Sequence, residues 1–178
     1  FVRGYCLKTS PAKRNKTFVM NNGVNLGKFN PDRHAKDEMI RKFNLPEADL
    51  YIGMSGRISP MKGHKDFIEA ASIISRKSNK KVAFVMAGSA SVGEEDFANG
   101  IYNFAKEKLS SNTYKFIDFQ SDLSEILTAL DVYVFPSHRE SFGNVLIEAM
   151  AMKKAVVAVH AGGVSDIVSC GIDAQCVK

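Results

Sequence analysis

Two glutamates with seven residues between them stand out first, Glu140 and Glu148. Glu140 lies in a polar turn, Pro136 to Gly143, that follows the apolar run Val132-Tyr133-Val134-Phe135. Glu148 is the one charge in Val145 to Met152, a stretch otherwise apolar almost all round. Such a stretch predicts a buried helix. An ionised carboxylate in a buried helix costs several kcal/mol (roughly) unless it is paired or hydrogen-bonded. Glu148 therefore needs a specific partner. It sits one turn inside a helix start, where backbone N–H groups and the helix dipole attract anions. An ion pair within the protein, or a bond to a nearby loop backbone, is the structural alternative. A second cluster is Gly56-Arg57-Ile58-Ser59-Pro60-Met61-Lys62-Gly63. Arg57 offers a planar fork of donors and Lys62 a mobile point charge, and together they suit a diphosphate. Two surface cations on a loop are the plainer reading. Gly56 and Gly63 would let backbone approach a ligand closely.

These groups need a scaffold that brings them together. Continuous apolar runs at 50–55, 82–87, 114–119, 132–135 and 155–159, with a short piece at 174–177, read as strands covered on both faces. Helical spacing recurs between them, at 64–77, 94–109, 123–130, 144–152 and 164–168. Alternating strands and helices imply right-handed crossovers. The expected fold is α/β, a Rossmann-like, doubly wound, mostly parallel sheet with helices on both faces. Ligands in such sheets bind beyond the carboxyl ends of the strands. Arg57, Gly88, Gln120, Ser137 to Gly143 and Gly162-Gly163 all fall after strand candidates, at that one edge. Phe142-Gly143-Asn144 can offer N–H groups at a helix start, or Ser141 can be a plain N-cap. Gly162-Gly163 fits a second anion site or a tight turn. His138 is available as an acid/base group or as an ordinary loop histidine. Ahead of the sheet, 16–20 reads as a short strand, and Asn30-Pro31-Asp32 as the opening of a helix reaching Phe43.

Composition narrows the chemistry. The chain has 178 residues, 45% hydrophobic and 24% charged, with a net charge of +5. That suits one globular domain. No apolar run reaches the roughly 20 residues of a membrane helix. No acidic residue precedes Asp32, and Arg3, Lys8, Lys13, Arg14, Lys16 and Lys28 make a basic start. A solvated linker surface is the plainer reading, with contact to an anionic membrane or nucleic acid as the alternative, although aromatic residues do not interleave with the basic ones as single-strand stacking needs. Cys6, Cys170 and Cys176 suggest neither a disulfide framework nor a metal site, so a reducing cytoplasm is expected. The histidines lack metal-ligand spacing. There is no Walker P-loop and no G-x-G-x-x-G after the first strand, which counts against a P-loop ATPase and an NAD domain.

Taken together, the motifs resemble a known family. Asn22-Gly23-Val24-Asn25 with Phe29 and Pro31, Gly56-Arg57 with Lys62-Gly63, Asp131 with Pro136-Ser137, Glu140-Ser141-Phe142-Gly143 with Glu148-Ala149-Met150-Ala151, and Gly162-Gly163 follow the order and spacing of the family 4 retaining glycosyltransferases, of GT-B architecture. The chain is similar to their C-terminal, donor-binding half. The resemblance implies residues 1–16 as an interdomain linker remnant and 17–178 as the sugar-nucleotide domain, truncated at its C-terminal end. It implies a UDP-, GDP- or ADP-sugar donor, no cofactor and no metal. The acceptor would be a saccharide or a lipid-linked one, reached through a separate N-terminal domain. Localisation would be cytoplasmic, with peripheral contact at a membrane face, and the isolated domain would transfer little. By position, Arg57 and Lys62 would hold the diphosphate and Glu140 the transferred sugar. N–H groups around Phe142, Gly143, Asn144 and Val145 would hold phosphate and sugar. Glu148 would bond the ribose, Gly56 would admit the ligand, and Phe119 and Gln120 would lie near the base. An epimerase or phosphorylase of the same architecture, or a non-catalytic nucleotide-binding module, are the alternatives. One departure concerns the end of the Glu148 helix. Lys153-Lys154-Ala155 stands where the family has Gly-x-Pro, so Lys153 must end that helix without glycine.

Overall fold

The computed structural model of the chain describes residues 7, 8 and 14–177. Six strands, β1 (Leu50–Ser55), β2 (Val82–Ala87), β3 (Tyr114–Ile117), β4 (Val132–Phe135), β5 (Ala155–Val159) and β6 (Gln175–Val177), form one sheet in the order 3-2-1-4-5-6. Every pairing in it is parallel. The helices set out among the described residues are α1 (Lys36–Lys42), α2 (His64–Lys77), α3 (Glu95–Lys108), α4 (Leu123–Ala129) and α5 (Asn144–Ala151). This is the doubly wound, Rossmann-like α/β fold expected from the strand–helix alternation.

The sheet is buried on both faces, which is why its strands read as apolar runs. Ile52 and Met54 of β1 join Phe84 and Met86 of β2, packed with Phe67, Ile68 and Ala71 of α2 and Ile101 of α3. Tyr51, Ala83 and Val85 point the other way, into a core with Met39, Ile126, Leu127, Tyr133 and Leu146. Side chains alternate across a strand, so each strand feeds two cores. Asp122 starts α4 with its carboxylate accepting the Ser124 N–H at 3.1 Å.

Four expectations need correction. No strand forms at 16–20: Arg14–Lys16 is a 3-10 turn, and Phe18 and Met20 are 86% and 94% exposed. The first helix begins at Lys36, a turn later than Asn30-Pro31-Asp32 suggested. The Asn30 side chain accepts the Asp32 N–H at 3.0 Å, and such a side-chain turn competes with helix formation. The expected helix at 164–168 is instead a 3-10 turn, Gly162–Asp166. Cys170 and Cys176 are joined by a disulfide across the turn before β6. That pairing removes the cysteine argument for a reducing compartment. Cys6, and most of the 1–16 linker with Arg3 and Lys13, lie outside the described residues. Among the described residues no helix is long and apolar enough to cross a membrane.

Lys153 does end α5 without glycine. It adopts φ +54°, with its N–H donating to the Met150 carbonyl at 2.9 Å and that of Lys154 to Ala149 at 3.1 Å. This is a Schellman closure, which glycine fills without strain. The Lys153 side chain is exposed. We therefore expect Lys153→Gly to stabilise the domain by about 0.5–1 kcal/mol, a rise in Tm of about 1–4 °C in a thermal melt. An unchanged or lower Tm would contradict this.

Candidate functional site

The central strands part where the site begins. β1 pairs with β2 along all six residues, but with β4 only at Ile52–Val132 and Gly53–Tyr133. In this strand order the crossovers turn to opposite sides between β1 and β4, which opens a crevice at their carboxyl ends. Two loops flank it, one from Gly56 to Gly63 and the other from Pro136 to Gly143. They are laced together. The His138 N–H donates to the Met61 carbonyl at 2.9 Å, Lys62 Nζ meets Glu140 Oε2 at 2.7 Å, and His138 Nε2 meets Asp66 Oδ2 at 2.6 Å. A Cβ on Gly63 would fall 2.1 Å from the Pro136 carbonyl oxygen. Gly63 thus admits the neighbouring loop, not a ligand as the sequence suggested.

A third loop seats the second. The Gly163 N–H donates to the Glu140 carbonyl at 3.0 Å, and a Cβ on Gly162 or Gly163 would lie about 2 Å from the Glu140 or Ser141 oxygen. The double glycine is therefore a contact surface for the Glu140 turn. Ser141 does not cap α5. Its own N–H donates to Glu140 Oε1 at 3.0 Å, and Gly143 is the N-cap, with no side-chain hydrogen bond there. The α5 start thus leaves backbone donors free for an anion.

Beside these loops, beyond the ends of β1 to β3, lies a pocket of about 360 Å³. Ser55, Gly56, Arg57, Phe119, Gln120 and Val145 are among its walls. The Arg57 guanidinium reaches Ser91 Oγ at 3.3 Å across it. Phe119 is 73% exposed, with its N–H held by Ser89 Oγ at 3.0 Å. The Gln120 amide donates to the Asp118 carbonyl at 3.2 Å. Lys62 adjoins through Gly56, whose Cβ would be 3.8 Å from its Cδ. A larger pocket, about 640 Å³ with Lys80, Lys81 and Tyr114 in its walls, lies at the opposite strand ends and holds none of the motif residues.

Glu148 is not sealed in a core. Only Leu146 and Ala149 of α5 are buried, and Glu148, Phe142 and Val145 are half-buried while Asn144 is exposed. The apolar pattern misled because one side of α5 faces the crevice edge. Asn144 Oδ1 accepts from Asn22 Nδ2 at 2.8 Å. Glu148 forms no hydrogen bond or ion pair with any described residue. Partial burial raises its pKa above the ordinary value, opposed by the Lys28 charge and reinforced by Asp122. No described residue thus supplies the partner that the sequence demanded.

The structure therefore gathers every predicted site residue at one sheet edge. Gly56, Arg57, Phe119, Gln120 and Val145 wall the pocket, Lys62 pairs with Glu140 beside it, and Phe142, Gly143, Asn144 and Glu148 lead into and along α5. Sequence reasoning missed His64 and Lys28. His64 is 2% exposed, its pKa pushed down to about 4 by burial and by the Lys62 charge, so it is neutral at physiological pH. Lys28 Nζ donates to the Ser121 carbonyl at 2.9 Å and brings a cation toward Glu148. Neither position carried a local signal. Among the described residues no cluster of three or more His, Cys, Asp or Glu could hold a metal ion.

Residues 35–178 match the family described as glycosyl transferases group 1. The chain belongs to the group 1 glycosyltransferases. A capsular polysaccharide biosynthesis glycosyltransferase, CapM of Staphylococcus aureus, is 32% identical over 88% of this chain and 40% of its own length. The C-terminal domain of a group 1 glycosyltransferase from Francisella tularensis, LpcC, superimposes with a TM-score of 0.76 at 31% identity, over 88% of this chain and 80% of that one. HepE of Anabaena, solved with UDP and glucose, has a TM-score of 0.84 at 24% identity, over 98% of this chain and 46% of that one, and shows the fold. The group 1 glycosyltransferase chain described here thus spans about two fifths of the length of the curated relatives it matches.

Proposed function

We propose that residues 17–178 are the C-terminal, donor-binding domain of a family 4 retaining glycosyltransferase. It binds a nucleotide diphosphate sugar, with UDP-, GDP- and ADP-sugars as the candidate donors. The complete enzyme moves the sugar to a saccharide or lipid-linked acceptor, without a metal ion. The domain alone holds the donor weakly and transfers little. The observation that carries this reading is the meeting of Arg57 and Lys62 with Glu140 and the α5 start at the β1–β4 crevice, beside a pocket with one exposed aromatic wall. The likeness to HepE, solved with UDP and glucose, supports the nucleotide class.

As the bond from sugar to phosphate breaks, negative charge grows on the leaving diphosphate. Arg57, Lys62 and the free N–H groups at the α5 start are placed to stabilise it, and preorganised donors are the largest single source of such catalysis. Glu140 holds Lys62 in position at 2.7 Å and offers its carboxylate to sugar hydroxyls. The exposed Phe119 ring suits stacking on the base. Glu148, without a hydrogen-bond partner among the described residues, accepts from the ribose. The leaving phosphate assists attack on the same face of the sugar.

Calorimetric titration of the chain with UDP, GDP, ADP and their sugars tests this. Binding of one of them at submillimolar concentration is expected, and no binding at millimolar concentration would sink the reading. Glu148→Gln refines it. The folded-state pKa of Glu148 is raised, so its stabilising contribution is full below the unfolded-state value and is lost as pH rises through the folded-state value. Glutamine carries no such penalty. The variant should melt with wild type at about pH 4 and above it at about pH 7, yet bind the nucleotide about 10-fold more weakly. Equal affinity would remove Glu148 from the site.

A further inference from the structure

Tyr133 is fully buried in the core beneath the crevice, and its hydroxyl plays no part in the chemistry above. Among the described residues its hydrogen-bonding partners are both on Ser55, the side-chain Oγ at 2.8 Å and the carbonyl oxygen at 3.5 Å. Ser55 is the last residue of β1, walls the pocket and immediately precedes Gly56-Arg57. The contact crosses from β4 to β1 just past the point where their backbones stop pairing.

The direction of the bond follows from satisfaction. If Ser55 donated, the Tyr133 proton would be left with a carbonyl at 3.5 Å in a dry core, a nearly unsatisfied donor. If Tyr133 donates to Oγ at 2.8 Å, its proton is satisfied at the favoured O–H···O length. Burial pushes the phenol above its ordinary pKa, and the Glu148 and Glu140 charges add to this, so the proton stays on it. The Ser55 proton then has no acceptor among the described residues. The free direction for it is the pocket.

Resting on the nucleotide reading of this site, we propose that Ser55 is a further ligand-contacting residue whose hydroxyl donates to an oxygen of the bound nucleoside diphosphate, and that Tyr133 is its positioning residue. A valine or alanine would suffice if this place on β1 only filled the sheet. A serine that accepts the tyrosine proton keeps its own proton free to donate, and so is prearranged for an acceptor-rich ligand.

Titration of this chain with UDP, GDP and ADP, in wild type, Ser55→Ala, Tyr133→Phe and the double variant, tests the proposal. Each single change should raise the Kd of the nucleotide that wild type binds by about 3- to 10-fold, and the double no more than the larger single. That non-additivity marks one device with two parts. Ser55→Thr should keep near-wild-type affinity. Unchanged affinity in Ser55→Ala, or additive losses in the double variant, would overturn the Ser55 assignment while leaving the nucleotide site standing. Failure of wild type to bind any of the three would overturn the nucleotide reading and this inference with it. Ser55→Ala also leaves the buried Tyr133 hydroxyl with only the carbonyl at 3.5 Å, at a cost in stability, so each variant is titrated below its own Tm. The double variant, which has no orphaned hydroxyl, should regain stability without regaining affinity.

Discussion

Lys62→Ala should weaken nucleoside diphosphate binding by about 10- to 100-fold, the loss of one charge-assisted hydrogen bond to phosphate. The same change should also destabilise the domain, for a different reason. Lys62 and Glu140 meet at 2.7 Å with side chains only 23% and 14% exposed. Removing the cation leaves a largely desolvated carboxylate that, among the described residues, keeps only its bond from the Ser141 N–H. Truncating one partner of a fully buried pair costs about 3–5 kcal/mol. This pair keeps some solvent, so about 1–3 kcal/mol is expected, a drop in Tm of about 2–10 °C. A double variant separates the two roles. Lys62→Ala with Glu140→Ala has no orphaned carboxylate, so most of the lost stability should return while affinity stays low. Calorimetry and thermal melts read the two separately. If Lys62→Ala bound the nucleotide as wild type does, Lys62 would be only a structural partner of Glu140. The arrangement explains how the cation is presented: Glu140 fixes a flexible lysine on one side, so less side-chain freedom is lost when phosphate arrives.

Much of this site was legible in the sequence because its residues are polar exceptions in apolar contexts. Arg57 ends a buried strand, Glu148 interrupts an apolar helix, and the strand–helix alternation forces both to one edge. The resemblance added roles, and one departure it flagged, Lys153, is where the backbone takes a left-handed turn without glycine. What stayed hidden depends on contacts between distant segments. The apolar pattern of α5 could not say that one side of the helix faces a crevice instead of a core. Tyr133 reads as a strand residue like its neighbours, and only the parting of β1 and β4 shows its hydroxyl meeting Ser55. The pairing of Cys170 with Cys176 needed the turn that brings them together. The first helix was misplaced because a local side-chain bond at Asn30 outweighed a plausible start signal. Periodicity reports which face is apolar, but not what covers it.

Gly162→Ala should damage the site from outside it. Gly162 has φ +59°, and a Cβ there would lie 2.1 Å from the Glu140 carbonyl oxygen. Three costs combine: left-handed strain of about 1–2 kcal/mol, displacement of packed backbone at about 1–3 kcal/mol, and weakening of the neighbouring Gly163 bond to Glu140. A total of about 3–5 kcal/mol is expected, a large share of the roughly 5–15 kcal/mol that holds a domain together. Gly93→Ala supplies the control. Gly93 also has positive φ, +86°, but nothing lies within 4 Å of where its Cβ would be. It should lose only the strain, about 1–2 kcal/mol. The difference between the two variants in chemical denaturation is thus the cost of moving the Glu140 turn. At a temperature where Gly162→Ala remains folded, its nucleotide affinity should still be about 10-fold weaker, because the added methyl pushes apart the double-glycine turn and the turn that carries Glu140 beside Lys62. If the two alanine variants were equally stable and bound equally well, the double glycine would be no more than a turn. If they differ as expected, the geometry of Glu140 is set by a contact with the double glycine, distant from it in sequence, and the Lys62–Glu140 pair depends on the seat beneath it as much as on its own charges.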